Sequence, residues 1–271
     1  MTTRTIALAR AHGLSIDETI ARDDARKIQS SLEDWRERVL QTKGVPGDSD
    51  TVAEILVGLG AEHVAPDAAT DAMARFIRLQ QYPDGMWKAL GNRPPLEGSD
   101  IQTTAQSLRS LQMFASAADR SAADEAVRRG VAALRAAQAR STADAAFQIL
   151  GLAWGRADRA LVLAAAKPLI AAQRPDGGWA QRPSMESDAF ATGQTLIALH
   201  ESGAVAVSDA VYARGVTFLI AAQLADGSWF VRTRAIRIQP HFESGFPHGK
   251  NQFISAAATN WATQALIYAA R

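Results

Sequence analysis

The sequence contains no cysteine, and this absence excludes several kinds of site at once. Disulfide bridges, zinc–thiolate centres and cysteine nucleophiles all require a thiol. A chain without thiols is compatible with a reducing compartment, where disulfides are rare. The 29 basic and 28 acidic residues nearly cancel, to a formal net charge of +1. This balance provides no electrostatic argument for binding nucleic acid or an anionic membrane surface.

Long apolar runs and linker-like segments are missing as well. No run of about 18 apolar residues occurs, so the sequence predicts no membrane-spanning helix. Arg4, Arg10 and His12 interrupt the apolar residues of the N-terminus, which argues against a signal peptide. No Ser/Gly tract, Pro-rich spacer or block of like charge divides the chain. We therefore expect a single domain over residues 1–271 in a soluble, cytoplasmic protein.

The most informative feature present is a short repeat that occurs three times, at residues 76–87, 169–179 and 218–229. In each copy a Gln is followed three residues later by Asp-Gly and six residues later by Trp. An Ala/Leu/Ile-rich segment ends near each Gln, and the Gly tolerates the positive φ of a turn. The Trp predicts a large apolar plug whose indole N–H needs an acceptor. The triplets are Gln81/Asp84/Trp87, Gln173/Asp176/Trp179 and Gln223/Asp226/Trp229.

The segments on the two sides of these turns differ in composition. Those before the turns carry charge on one face and predict outer helices, near residues 17–40, 66–81, 121–138, 157–173 and 207–223. Those after the turns are rich in Ala, Thr and Leu and predict buried inner helices, near residues 3–12, 50–60, 100–115, 142–153, 188–202 and 253–270. Their alternation predicts an all-α fold of about six helical hairpins, the first of which lacks its outer helix.

The Gln–Asp-Gly–Trp copies resemble the QW repeats of squalene-hopene and oxidosqualene cyclases, class II terpene cyclases and protein prenyltransferase β subunits. The resemblance covers nearly the whole chain and implies an α/α toroid with a central apolar cavity that binds an isoprenoid. Two departures limit it. Squalene cyclases and most class II cyclases pack two such domains together, and this chain has one. Prenyltransferases hold zinc through Asp, Cys and His, so a chain without Cys cannot reproduce their site.

The same resemblance directs attention to the acid that initiates class II cyclisation. That acid is the middle Asp of an Asp-x-Asp-Asp or Asp-x-Asp-Thr motif at the start of an inner helix. Residues 48–51 read Asp-Ser-Asp-Thr, so the resemblance makes Asp50 the candidate acid, with Asp48 and Thr51 as supporting residues. Clustered carboxylates in an apolar cavity can keep one of them protonated. The alternative is that Asp50 is a first-turn acid favoured by the helix dipole.

An alignment of five inner helices on a shared Leu tests the register of this motif. All residues of its starting column are types that cap helix N-termini, and we predict N-caps at these positions. Two positions later only Asp50 is acidic. The starting column reads Asp48, Asp100, Ser141, Asp188 and Ser255.

Further candidate substrate-binding residues come from the inner helices and from a long connection. Gln102, Trp154, Phe190 and Trp261 lie on predicted inner helices and are expected to line the cavity, although core packing explains the aromatic residues equally well. The connection at residues 230–253 suggests a lid or binding loop, or alternatively a loop that only covers one end of the fold. Its candidates are His241, Glu243, Phe246 and His248.

Charged residues in the connecting loops leave two questions open. His241, Glu243 and His248 have no recognised metal-ligand spacing, and we expect neither a metal nor another cofactor. Glu97 either pairs with Arg93 or faces the cavity.

Three functions remain open on the sequence alone. The first is a terpene cyclase or isomerase with Asp50 as its acid, and the second is a non-catalytic module that binds a hydrophobic ligand or a protein. The third is a different chemistry with His241 or His248 as general base. The expected partner is a hydrophobic isoprenoid, with no nucleic acid and no membrane span. The incomplete first hairpin also suggests a partner chain or self-association at that edge.

Overall fold

The computed structural model describes residues 1–91, 93–236 and 240–270. These residues contain eleven α-helices and one short 3-10 helix, and no β-strand occurs among them. The all-α prediction is confirmed, and each predicted helix is present with ends that shift by a few residues. The helices are α1 Thr2–Ala11, α2 Glu18–Leu40, α3 Asp48–Ala61, α4 Ala68–Leu79, α5 Asp100–Phe114, α6 Arg120–Ala136, α7 Thr142–Trp154, α8 Arg159–Ala171, α9 Ala189–Glu201, α10 Ala210–Ala222 and α11 Gln252–Ala269.

The chain forms two compact units. The first unit comprises residues 1–91 and 99–137 and contains α1 to α6. In it α3 packs against α1, α4 and α5, and α5 also packs against α6. The second unit comprises the described residues of 92–98 and 138–271 and contains α7 to α11. Its central helix is α9, which packs against α7, α10 and α11.

Helix α9 illustrates why the segments poor in charge become buried. Every residue from Ala189 to Leu199 is buried, and this stretch consists of small, aliphatic, aromatic and uncharged polar residues. Gly193 allows α11 to approach closely, since a Cβ at this position would lie 2.6 Å from the main-chain nitrogen of Ala262. The prediction that this inner helix is buried on most sides is confirmed.

The predicted helix caps are only partly right. Ser141 and Asp188 cap α7 and α9, because their side chains accept the N–H groups of Asp144 (3.1 Å) and Ala191 (2.8 Å). The N-cap prediction was wrong for the other three residues of the column. The observed N-cap residues of α3, α5 and α11 are Gly47, Ser99 and Asn251.

The three residues that are not N-caps accept hydrogen bonds from other main-chain amides. Asp48 accepts the N–H of Val45 (3.0 Å) in the turn before α3. Asp100 accepts the N–H of Ala89 (2.9 Å), and Ser255 accepts that of Val231 (3.0 Å). Ala89 and Val231 each lie two residues after a repeat Trp, so these contacts depend on segments distant from the helix start.

No helix among the described residues combines the length and the hydrophobicity needed to cross a membrane.

Candidate functional site

The three repeat tryptophans lie in the core of the fold. Each is fully buried, and its indole N–H donates to the main-chain carbonyl ten residues earlier, in the last turn of the preceding helix. Those carbonyls lie in the last turn of a helix, where the regular intrahelical hydrogen bonds run out. The predicted need for an acceptor is therefore confirmed, and the Trp residues stabilise the fold. The pairs are Trp87–Ile77 (2.6 Å), Trp179–Leu169 (2.7 Å) and Trp229–Leu219 (2.7 Å).

A cavity of about 620 Å³ lies in the second unit. Loop residues within 93–97, 232–236 and 240–242 form part of its wall, and residues 250–254, at the start of α11, form the rest. Most of the lining side chains are apolar: Pro94, Pro95, Leu96, Ala235, Ile236, Pro240, Phe242, Phe253 and Ile254. The cavity thus has the concave, mainly apolar character of small-molecule sites.

Polar side chains at the start of α11 hold the loop around this cavity in place. The buried amide of Gln252 donates to the carbonyl of Phe242 (2.7 Å) and accepts the N–H of Ser244 (2.5 Å). Asn251, also buried, accepts the N–H of Thr233 (2.9 Å). Two described parts of the loop, on either side of residues 237–239, are therefore bonded to the start of one helix. Residues 237–239 of the predicted binding loop lie outside the described residues.

The charges of the lining residues are predominantly positive. Arg93 forms a two-point ion pair with Glu97 (2.6 and 2.8 Å), and both residues line the cavity. Glu97 therefore both pairs with Arg93 and faces this cavity, which the sequence had left as alternatives. Arg232 and Lys250 are exposed lining residues, and neither forms an ion pair with any described residue. The result is a mainly apolar cavity with two cations at its wall that have no described carboxylate partner.

The predicted loop residues separate into two groups. His241 lines the cavity, and its Nε2 lies 2.5 Å from Oε1 of Glu243. His248 instead bonds the buried hydroxyl of Ser228 (2.8 Å), which donates to Asp226 (2.7 Å). In this order the serine lies between the acid and the histidine, so the group is not a catalytic triad, in which the histidine is central.

The other aromatic candidates serve as packing residues in the second unit. The ring of Phe246 lies 6.1 Å from that of His248. Phe190 is buried in α9, and Trp261 of α11 packs edge-to-face on Phe147 at 6.2 Å. Trp154, at the end of α7, is half-buried. None of these four predicted residues is among those that line the 620 Å³ cavity.

The predicted acid lies in the first unit, at the start of α3. One carboxylate oxygen of Asp50 accepts the hydroxyl proton of Thr103 on α5, and the other accepts the N–H of Leu90 (3.2 Å). Asp50 therefore connects α3, α5 and the segment after the first repeat turn. Thr51 and Gln102 are half-buried in α3 and α5.

Sequence reasoning did not single out Asp188 as a chemically unusual residue. Burial raises the pKa of its carboxyl group, even though hydrogen bonds from Ala191 N–H and the Gln181 amide (2.9 Å) oppose the shift. Arg234 in turn donates to Gln181 (2.6 Å), and burial lowers the pKa of its guanidinium. These contacts join residues up to 53 positions apart, so no local signal in the sequence could have identified them.

Among the described residues, no group of three His, Asp or Glu side chains is arranged to hold a metal ion. No protein-family model matches the sequence, and no curated protein matches it either.

Proposed function

We propose that the protein binds an isoprenoid or a similarly elongated apolar molecule in the cavity of the second unit. The observation that carries this proposal is the cavity of about 620 Å³ with its nine apolar lining residues. Small-molecule pockets measure about 300–1,000 Å³, and this volume falls in that range. The repeat resemblance supports the same class of ligand.

The two cations at the wall refine the proposed ligand. Arg232 and Lys250 lie among otherwise apolar lining residues and have no described carboxylate partner. A ligand with an anionic end and an apolar tail would satisfy both parts of the wall, because guanidinium and ammonium groups bind phosphate and carboxylate oxygens. The proposed ligand is therefore an amphipathic anion such as an isoprenoid diphosphate.

Isothermal titration with farnesyl diphosphate and farnesol tests the proposal, since the two ligands share a tail and differ in charge. Ala235→Trp adds bulk to the lining and should weaken both ligands at least about tenfold, or 1.4 kcal/mol. The double variant Arg232→Ala/Lys250→Ala should weaken farnesyl diphosphate by about the same factor and leave farnesol unchanged.

Ala206→Trp is the matched control, because Ala206 is an exposed loop residue outside the lining. It should bind both ligands as the unsubstituted protein does. The proposed site would be refuted if neither ligand binds the unsubstituted protein. It would also be refuted if the Ala235→Trp variant binds both ligands as tightly as the unsubstituted protein does.

A second candidate function is acid-initiated cyclisation or isomerisation of the ligand. The observation that favours it is the raised pKa of Asp188, because burial disfavours the charged carboxylate and so favours the protonated form, which can donate a proton. In such a step the carboxyl proton adds to an alkene carbon, and the resulting cation later loses a proton from a neighbouring carbon. Asp50 remains the acid that the sequence resemblance predicts.

Mass spectrometry of organic extracts distinguishes these acids. The protein, Asp50→Asn and Asp188→Asn are each incubated with farnesyl diphosphate, geranylgeranyl diphosphate, squalene and oxidosqualene. A new product that disappears in only one variant would identify that residue as the acid. If the unsubstituted protein forms no product from any of the four, binding without catalysis is the remaining function.

A further inference from the structure

We propose that the third repeat turn, residues 223–229, docks a helix of another polypeptide that carries an Arg-Gly pair. The inference rests on a comparison of the three turns with one another and is independent of the ligand-binding proposal. The first two turns each hold a helix in the same way, and the third has the same bonding groups but no described helix bonded to them.

The first turn shows how a helix is held. The side-chain amide of Gln81 donates to the carbonyl of Gly85 within the turn (2.9 Å) and to the carbonyl of Ala126 on α6 (2.8 Å). Arg129, three residues after Ala126, donates back to the side-chain oxygen of Gln81. The glutamine is thereby bonded through both ends of its amide, and Gly130 follows the arginine directly.

The second turn repeats this arrangement on α10. Gln173 donates to the carbonyls of Gly177 (2.9 Å) and Val211 (2.8 Å), and Arg214 donates to the side-chain oxygen of Gln173. Arg214 again lies three residues after the accepting carbonyl, and Gly215 follows it. The docked helices therefore share one signature: a main-chain carbonyl that accepts from the glutamine amide, an arginine three residues later and then a glycine.

Close backbone approach explains the glycines of the second turn and its helix. A Cβ at Gly177 would lie 2.5 Å from the main-chain oxygen of Arg214. A Cβ at Gly215 would lie 2.8 Å from the side chain of Leu196 on the inner helix. The turn and the helix are thus complementary in shape as well as in hydrogen bonding.

The third turn has the same groups, but no helix among the described residues is bonded to them. Gln223 donates to the carbonyl of Gly227 (3.0 Å), and no other described residue bonds to its side chain. Gly227 is exposed, and a Cβ there would meet nothing within 4 Å, whereas Gly85 and Gly177 are buried. Ile220 is 60% exposed beside the turn, and Leu224 is 43% exposed within it. This surface therefore combines unused amide groups with exposed apolar side chains, as docking sites do.

The sequence of the chain favours another polypeptide as the occupant. The Arg-Gly pair occurs at residues 129–130 and 214–215 and nowhere else in the 271 residues. Both pairs are already seated on the first and second turns. A second copy of this chain therefore has no further Arg-Gly helix to offer without unseating one of its own.

A peptide with the sequence of residues 120–136, which contains Arg129 and Gly130, serves as the probe. A short isolated helix is only marginally stable in water. The side chains at the exposed positions 121 and 125 are therefore replaced by a pair joined through a lactam bridge. Fluorescence anisotropy of the labelled peptide with the full chain should give saturable binding. Gln223→Ala in the protein should weaken this binding at least tenfold, as should Arg129→Ala in the peptide. Gln41→Ala, which replaces an exposed Gln at another helix end, should leave it unchanged.

Several results would overturn the proposal. No binding below about 1 mM peptide, or equal affinity for the protein and Gln223→Ala, would show that the third turn is not a docking site. Sedimentation velocity adds a second measurement. A dimer that dissociates on Gln223→Ala would identify a second copy as the occupant and refute the choice of another polypeptide.

Discussion

At the scale of single residues, Asp188 is a largely buried carboxyl group whose pKa lies above its ordinary value. Its carboxylate caps α9 and bonds to Gln181, yet burial raises its pKa. A carboxyl group with a higher pKa in the folded state binds its proton more tightly when folded. Protonation therefore favours the folded state, and the free energy of unfolding falls as pH rises from the ordinary aspartate range through the folded-state pKa.

Asp188→Asn should remove this pH dependence. The stability of the variant relative to the unsubstituted protein is expected to increase with pH across that window. Urea unfolding of both proteins from about pH 4 to about pH 8 measures the difference. Asp209→Asn is the matched control, because Asp209 is an exposed residue that caps α10 through the N–H of Val211 (2.7 Å). A difference that does not change with pH would contradict the proposed effect of burial.

The contrast between the glutamines of the second and third turns is also a residue-scale observation. Gln173 and Gln223 occupy the same place in the repeat, and each bonds the glycine of its own turn. Only Gln173 also bonds a helix, through Val211 and Arg214. The repeat pattern predicted both turns correctly but could not distinguish them, because the distinguishing partners lie about 40 residues further along the chain.

At the scale of the element, the turn glycines allow the helix contact to be measured separately from backbone strain. Gly177 and Gly227 have nearly the same φ, +85° and +82°, so Ala at either position carries the left-handed strain. Only at Gly177 would the new Cβ also meet the helix, at 2.5 Å from Arg214.

Gly177→Ala should therefore lower the free energy of unfolding by about 1–3 kcal/mol more than Gly227→Ala does. Chemical denaturation of the two variants provides the comparison, with each serving as the control for the other. Equal destabilisation by the two substitutions would mean that the docked helix moves to accommodate the new Cβ without a measurable loss of stability. It would also weaken the argument that the third turn is open.

The helices themselves could be predicted well, for a physical reason. Their ends are marked by local chemistry, such as Asp-Gly turns and the caps at Ser141 and Asp188. The cap predictions for Asp100 and Ser255 were wrong because those side chains accept amides of Ala89 and Val231 instead. Such a side chain can accept an N–H group of its own helix or one from another segment, and the folded structure determines which of the two lies within hydrogen-bond distance.

At the scale of the whole molecule, the chain consists of two compact units. The prediction of a buried inner helix near residues 3–12 was wrong, because Thr3 is the only buried residue of α1. The residues that line the 620 Å³ cavity all belong to the second unit, and the predicted acid Asp50 belongs to the first. Of the predicted substrate-binding residues, His241 lines this cavity, whereas Phe190 and Trp261 are packing residues of α9 and α11. Aromatic residues on a buried helix fit a cavity wall and a packed core equally well by sequence pattern.

The sequence by itself determined the all-α class, the order of the eleven described helices and the burial of the three repeat tryptophans. These properties depend on local composition, periodicity and turn chemistry, which adjacent residues carry. Only the tertiary structure decided where the cavity lies, that Asp188 is buried beside Gln181, and that no described helix is bonded to the third turn. Those properties depend on desolvation and on hydrogen bonds between distant segments, which exist only after the chain has folded.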